Sequence, residues 1–165
     1  MRLKRLVGVL GIALICTGQS LFAQSKQEWK EQREMEVKET VESGRFTIDV
    51  NRAVPMSGRS VNLTSPYSLE LRGDSVISYL PYYGRAYSAP YGGGKGLNFQ
   101  EQASEMEQTQ KKKGSTELKF RVRTDEDVYA FRVEIFPNGS STINVTPVNK
   151  QGITFYGEIA AEKGK

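Results

Sequence analysis

Residues 128–147 read Val-Tyr-Ala-Phe-Arg-Val-Glu-Ile-Phe-Pro-Asn-Gly-Ser-Ser-Thr-Ile-Asn-Val-Thr-Pro. Tyr129, Phe131, Val133 and Ile135 fall at every second position, with Arg132 and Glu134 between them. A period of two is the mark of a half-buried strand, because successive side chains of an extended chain point to opposite faces. Asn138-Gly139 then accepts the positive φ that a tight hairpin turn demands, and Ile143 and Val145 resume the alternation. The stretch is a β-hairpin. It sets the period by which its neighbours are read.

Upstream, Thr116 to Arg123 sets Leu118, Phe120 and Val122 against Lys119, Arg121 and Arg123; downstream, Ile153, Phe155 and Ile159 close the chain. Further back, Phe46, Ile48 and Val50 alternate with polar residues, Met56-Ser57-Gly58-Arg59 reads as a turn, and Val61-Asn62-Leu63 as a short strand. Tyr67 to Arg72, the Gly73-Asp74 turn and Ser75 to Leu80 make another hairpin. The polar run Gln100 to Gln110, with Lys111-Lys112-Lys113 after it, reads as a solvated loop. This is a mainly β chain: about eight short antiparallel strands over residues 45–165. A closed barrel fits better than a sandwich, since a meander of hairpins closes naturally and hides its edges.

One helix is expected before the barrel, over residues 24–44. Ser25 and Glu28 form a capping box, Gly44 stops the helix, and Trp29, Val37 and Val41 make a narrow apolar stripe with Trp29 as its anchor. Residues 1–23 read as a signal peptide. Arg2, Lys4 and Arg5 form a basic start, Leu6 to Cys16 an apolar run, and Leu21-Phe22-Ala23-Gln24 a cleavage site after Ala23. Cys16 is not read as a lipidation site, because bulky Ile15 precedes it. Removing 23 of the 165 residues leaves 142 and no further run long enough to span a bilayer. The removed part carries three basic and no acidic residues, so the formal charge falls from +4 to +1. The mature chain is expected in the periplasm or outside the cell.

The chemistry available to that mature chain is narrow. The sequence has no histidine, and its one cysteine, Cys16, leaves with the signal peptide. Zinc sites of Cys or His, cysteine nucleophiles and Ser-His-Asp triads therefore have no residues to build on. No cofactor is expected, and the chain does not read as an enzyme. Its near-neutral charge lacks the basic stripe of a nucleic-acid binder. Asp125, Glu126 and Asp127 read as a turn between strands rather than a calcium loop.

Five of the eight tyrosines lie between residues 79 and 91, in Tyr-Leu-Pro-Tyr-Tyr-Gly-Arg-Ala-Tyr-Ser-Ala-Pro-Tyr, and Gly92-Gly93-Gly94-Lys95-Gly96 follows. Tyrosines present flat apolar faces and a hydroxyl, suited to a sugar ring, a peptide or another apolar ligand, while an arginine grips carboxylate or phosphate. Tyr82, Tyr83, Arg85, Tyr87 and Tyr91 are thus the candidate ligand-binding residues. The competing reading makes these rings a plug in one end of the barrel. With Leu97-Asn98-Phe99, Phe136-Pro137-Asn138-Gly139 and Ile153 to Gly157, this segment resembles the domain of unknown function 4251 family, secreted proteins largely from Bacteroidetes. The resemblance spans roughly residues 40 to 160 and implies export and a lipocalin-like barrel, with no catalytic residues to carry over. Two functions follow from the reading. The first is an unknown small or extended ligand held at the barrel mouth; the second is an envelope protein docked on a filled barrel. Asp74-Ser75-Val76 also matches the acceptor pattern of O-glycosylation in such proteins, which makes Ser75 a possible modification site.

Export should leave Gln24 as the first residue, because Ala23 supplies the small side chain that signal peptidase requires. N-terminal sequencing of the exported protein checks this, and a chain beginning at a lipid-modified Cys16 would contradict it.

Overall fold

The computed structural model describes residues 18–87 and 96–160, with side chains from Lys26 onward. A helix, α1 (Gly18–Glu42), precedes eight strands: β1 (Arg45–Pro55), β2 (Val61–Arg72), β3 (Ser75–Leu80), β4 (Leu97–Gln110), β5 (Thr116–Arg123), β6 (Val128–Ile135), β7 (Ser140–Pro147) and β8 (Ile153–Ile159). Each strand pairs antiparallel with the next, and β8 pairs with β1, so the sheet is a closed barrel in sequence order. The 128–147 hairpin forms as its alternation requires. Tyr129 stands opposite Pro147, Phe131 opposite Val145, and Gly139 takes φ 88° in the turn.

The eight strands are not quite the eight expected. Val61–Leu63 and Tyr67–Arg72 belong to one strand, β2, whose pairing with β1 jumps from Tyr67 opposite Val50 to Asn62 opposite Arg52. The polar run from Gln100 to Gln110 is no loop but most of β4. Its inner half borrows order from β3, with Leu97 opposite Leu80 and Phe99 opposite Ser78. Its outer half continues on the β5 ladder alone, through a bulge between Ser104 and Glu107 that holds Glu105 at φ 54°. That half is exposed, apart from a partly buried Ala103. Burial therefore left no alternation there to read; hydrogen bonding to an apolar neighbour makes it a strand.

The helix also departs from its expected form. It starts by Gly18, so Ser25 lies within it rather than capping it, while Gly44, at φ 67°, does end it. Val37 and Val41 are buried against the barrel, but Trp29 is 73% exposed and anchors nothing. Arg33 explains the limit. Its Nη2 donates to the Ile159 carbonyl at 3.4 Å, and the β6–β7 turn lies so close that a Cβ on Gly139 would sit 3.0 Å from that nitrogen. One turn further out the helix has passed the barrel rim, and Lys26 to Gln32 are all exposed.

Inside, the barrel is filled by its own side chains. Phe120 stacks on Phe131 with centroids 5.0 Å apart, Phe99 stacks on Tyr129 at 5.5 Å, and Phe99 meets Phe131 edge-on at 6.1 Å. Ile48, Leu69, Val76, Val133, Ile143 and Phe155 complete the layer with no exposed surface. Each large apolar side chain buried this way contributes about 1.5–3 kcal/mol. The tightest point is the seam between β1 and β8. There β1 carries an extra residue between Val50 and Arg52, and a Cβ on Gly157 would collide with the Asp49 carbonyl.

Gly157→Ala should therefore cost about 3 kcal/mol or more, because the obstacle is backbone and cannot rotate away. Urea unfolding monitored by circular dichroism measures it; a loss within ~0.5 kcal/mol would show that the seam has room to spare.

Candidate functional site

Antiparallel order puts four links at one end of the barrel: residues 56–60, 124–127, 148–152 and the link after β3, described over 81–87 and at Gly96. The helix sits at the other end. Polar groups are drawn together beneath these links, because each chain reversal leaves backbone donors and acceptors that the ladder cannot use. Asp127 meets much of that need. Its buried carboxylate accepts from the amides of Val128 at 2.8 Å and Val148 at 3.2 Å, and from Asn149 through both backbone N and Nδ2. The acidic run 125–127 thus works as a turn in which Asp127 locks the 124–127 link to the 148–152 link.

Lys150, in that second link, is buried with 6% of its surface exposed. Its Nζ lies 3.3 Å from the Tyr129 hydroxyl and 3.4 Å from Glu126 Oε2, and 5.7 Å from the ring centroids of both Tyr82 and Tyr129. Burial opposes its charge, but the Tyr129 hydroxyl and the Glu126 carboxylate outweigh that and hold its pKa above 10.5. Burial pushes the Tyr129 hydroxyl above 10, with Lys150 working against it. The Tyr129 hydroxyl donates in turn to the Gly96 carbonyl at 3.4 Å. The cluster is a charged strut under the tyrosine segment, with neither group tuned towards reactivity at neutral pH.

The segment itself is laid along the 148–152 link. Ala86 bridges Lys150, the Tyr87 amide donates to the Asn149 carbonyl at 2.8 Å, and the Gln151 amide donates to the Arg85 carbonyl at 2.9 Å. Tyr82 is partly buried; its hydroxyl donates to the Gln151 carbonyl at 2.8 Å, and its phenol folds so closely over Gly84 that a Cβ there would collide with it. Tyr83 and Tyr87 are 43% and 70% exposed, and Arg85 is exposed between them. So the expected binding residues part company: Tyr82 is a strut, whereas Tyr83, Arg85 and Tyr87 face outward. Tyr91 lies outside the described residues. Sequence reasoning missed Asp127 as a lock, Lys150 and Gln151. A lysine in the polar run Val-Asn-Lys-Gln-Gly carries no sign that it will be buried.

Little room is left for a ligand inside. Where the start of β4 meets the 124–127 link, between Gly96, Phe99, Glu126 and Tyr129, the free volume is about 10 Å³. A wider hollow of about 590 Å³ lies on the flank, beside Arg121, Ala130 and Arg132, where Arg121 pairs with Glu105 at 3.3 Å and Arg132 approaches Glu117 at 3.8 Å. Ser75 opens β3, partly buried, on the outward set with Ile77 and Tyr79, opposite the buried Val76. Ala23 and Gln24 lie within α1. No described helix is long and apolar enough to cross a membrane.

Residues 28–159 match the model of a domain of unknown function, DUF4251. The chain belongs to the DUF4251 family. Among solved structures, a DUF4251 family protein from Bacteroides eggerthii is similar in fold, with a TM-score of 0.61 at 15% sequence identity, over 77% of this chain and 86% of that one. No match is found among curated proteins.

Replacing the cation with an isosteric apolar chain tests the strut. Lys150→Met should lower stability at neutral pH by about 1–3 kcal/mol, since it removes the ion pair with Glu126 and the hydrogen bond to the Tyr129 hydroxyl. In the parent protein the raised Lys150 pKa means its contribution is intact below about pH 10.5 and fades as pH rises through the folded value; Tyr129 adds to that alkaline loss. Urea melts between pH 7 and 11 should therefore converge for the two proteins at high pH, and parallel curves would contradict this account.

Proposed function

We propose that this DUF4251 protein is an exported, non-catalytic binding protein that meets its ligand on the outside of the loop end, not within the barrel. The observation that carries this reading is a contrast between interior and rim. Inside, Ile48, Leu69, Val133, Ile143 and Phe155 are fully buried, whereas at the rim Met56, Tyr83, Tyr87 and Val148 expose 71%, 43%, 70% and 69% of their surface. All four belong to links at the same end, and Gln151 gathers those links. Its Oε1 accepts from Ser57 Oγ at 2.9 Å and from the Arg85 amide at 3.4 Å. Exposed apolar side chains on links cross-tied in this way are characteristic of a contact surface.

The filled interior moves the ligand from the barrel mouth to the rim, and so favours an extended ligand over a small one swallowed whole. Export rests on residues 1–23, and the absence of catalysis on a mature chain without histidine or cysteine.

Side-chain footprinting in the native host tests the surface without knowing the ligand. Tyr83, Tyr87, Met56 and Val148 should label at least threefold less in intact cells than in purified protein, while Trp29 and Tyr79 label equally in both. Equal labelling at all six positions would remove the reading.

A further inference from the structure

Arg85 is held in an unusual way for an exposed residue. Its amide donates to Gln151 Oε1 at 3.4 Å, and its carbonyl accepts both the Gln151 amide at 2.9 Å and the Tyr82 hydroxyl at 3.2 Å. Its guanidinium, by contrast, has no partner among the described residues. Three contacts fix the backbone of a side chain left free, and the Lys150 strut supports those contacts through Tyr82. The ordering cost of presenting that cation is met before a ligand arrives.

Its surroundings narrow the ligand further. Tyr83 and Tyr87 stand two residues to either side in the chain, and both are exposed. The segment offers two exposed aromatic rings and, in the chain between them, an exposed planar cation. Pyranose rings present apolar C–H faces to aromatic rings, and a guanidinium pairs with a carboxylate through two parallel N–H donors.

Building on the loop-end reading above, we propose that the ligand is an acidic glycan, with Arg85 pairing with a uronate carboxylate while Tyr83 and Tyr87 stack on sugar rings. Gln151 is the positioning residue that holds the arginine in place.

The probe is tri-galacturonate, titrated into ¹⁵N-labelled mature protein and followed by amide chemical shifts, with neutral galactotriose and hexaglutamate peptide as controls. Tri-galacturonate should shift the amides of Tyr83, Arg85 and Tyr87. Its affinity should fall at least tenfold in Arg85→Gln and less in Arg85→Lys, and should exceed that of both controls at least tenfold. Because the guanidinium has no partner among the described residues, both variants should keep the parent spectrum elsewhere. In Gln151→Ala the same glycan should bind more weakly, and Arg85→Gln should then cost less than in the parent, which a merely structural role for Gln151 would not produce. Equal binding of the neutral and acidic sugars, equal binding of hexaglutamate, or no shift at these three amides would overturn the assignment. If that happened while Tyr83 and Tyr87 were still protected in cells, only the ligand class would fall, and docking at the loop end would stand.

Discussion

The barrel closes along the ladder between β1 and β8, and at its tightest point β8 has no side chain. Gly157 lies against the Asp49 carbonyl at the point where β1 carries its extra residue, so the two strands can cross without a Cβ between them. A bulge bends and twists the strand that bears it, and a bent β1 is what brings the last strand back to the first. Without that approach the sheet would end in two open edges, each presenting unpaired donors and acceptors. Closure also fixes the size of the interior. Eight strands enclose a space that side chains can fill, and here Phe99, Phe120, Tyr129, Phe131 and Phe155 fill it.

A filled barrel has only its outer wall and two ends with which to meet other molecules, and the ends are treated differently. At one, α1 lies over the β6–β7 turn, held by Val37, Val41 and the Arg33 contact to Ile159. At the other, no described helix or strand covers the links. Order there comes from polar side chains: Asp127 takes the amides of the 148–152 link, and Lys150 is wedged among Glu126, Tyr129 and Tyr82. A buried charge pair is weak support for stability, since desolvation offsets much of its attraction. Its value lies more in geometry. Because Lys150 has few low-cost positions, the residues that touch it have few as well, and Tyr82 is one of them.

Much of this was legible from the alternation of side chains. Tyr129 to Ile135, Leu118 to Val122 and Phe46 to Val50 are buried where their period places them, and Asn138-Gly139 turns the chain as its φ preference allows. Legibility fails where order comes from a neighbour rather than from burial. The outer half of β4 has almost no apolar residues, and it is a strand because β5 offers it a ladder. Trp29 misleads for a related reason. It lies on the stripe of Val37 and Val41, but a helical stripe is buried only as far as its partner surface reaches, and sequence period carries no record of where the barrel rim falls. Within the tyrosine cluster, nothing in the spacing separated Tyr82, folded inward, from Tyr83, turned out. That choice is made by Gln151 and Lys150, nearly seventy residues away in the chain.

The dependence runs through five residues. The 148–152 link joins β7 to β8, and its flanking residues Val145 and Ile153 are core. The same link accepts the Tyr87 amide, donates to the Arg85 carbonyl and supplies Lys150. A short link with both ends fixed by packed strands has little freedom to move, so whatever is bonded along it inherits the rigidity of the core. The exposed arginine and its two tyrosines are therefore mounted, through Asn149 and Gln151, on the hairpin next to the seam that closes the barrel. Loops usually gain binding residues at the cost of precision, because their backbone is loosely held. Here residues 85–87 are paired as an irregular extension of the sheet, which gives the outward side chains of Arg85 and Tyr87 much of the definition of a strand.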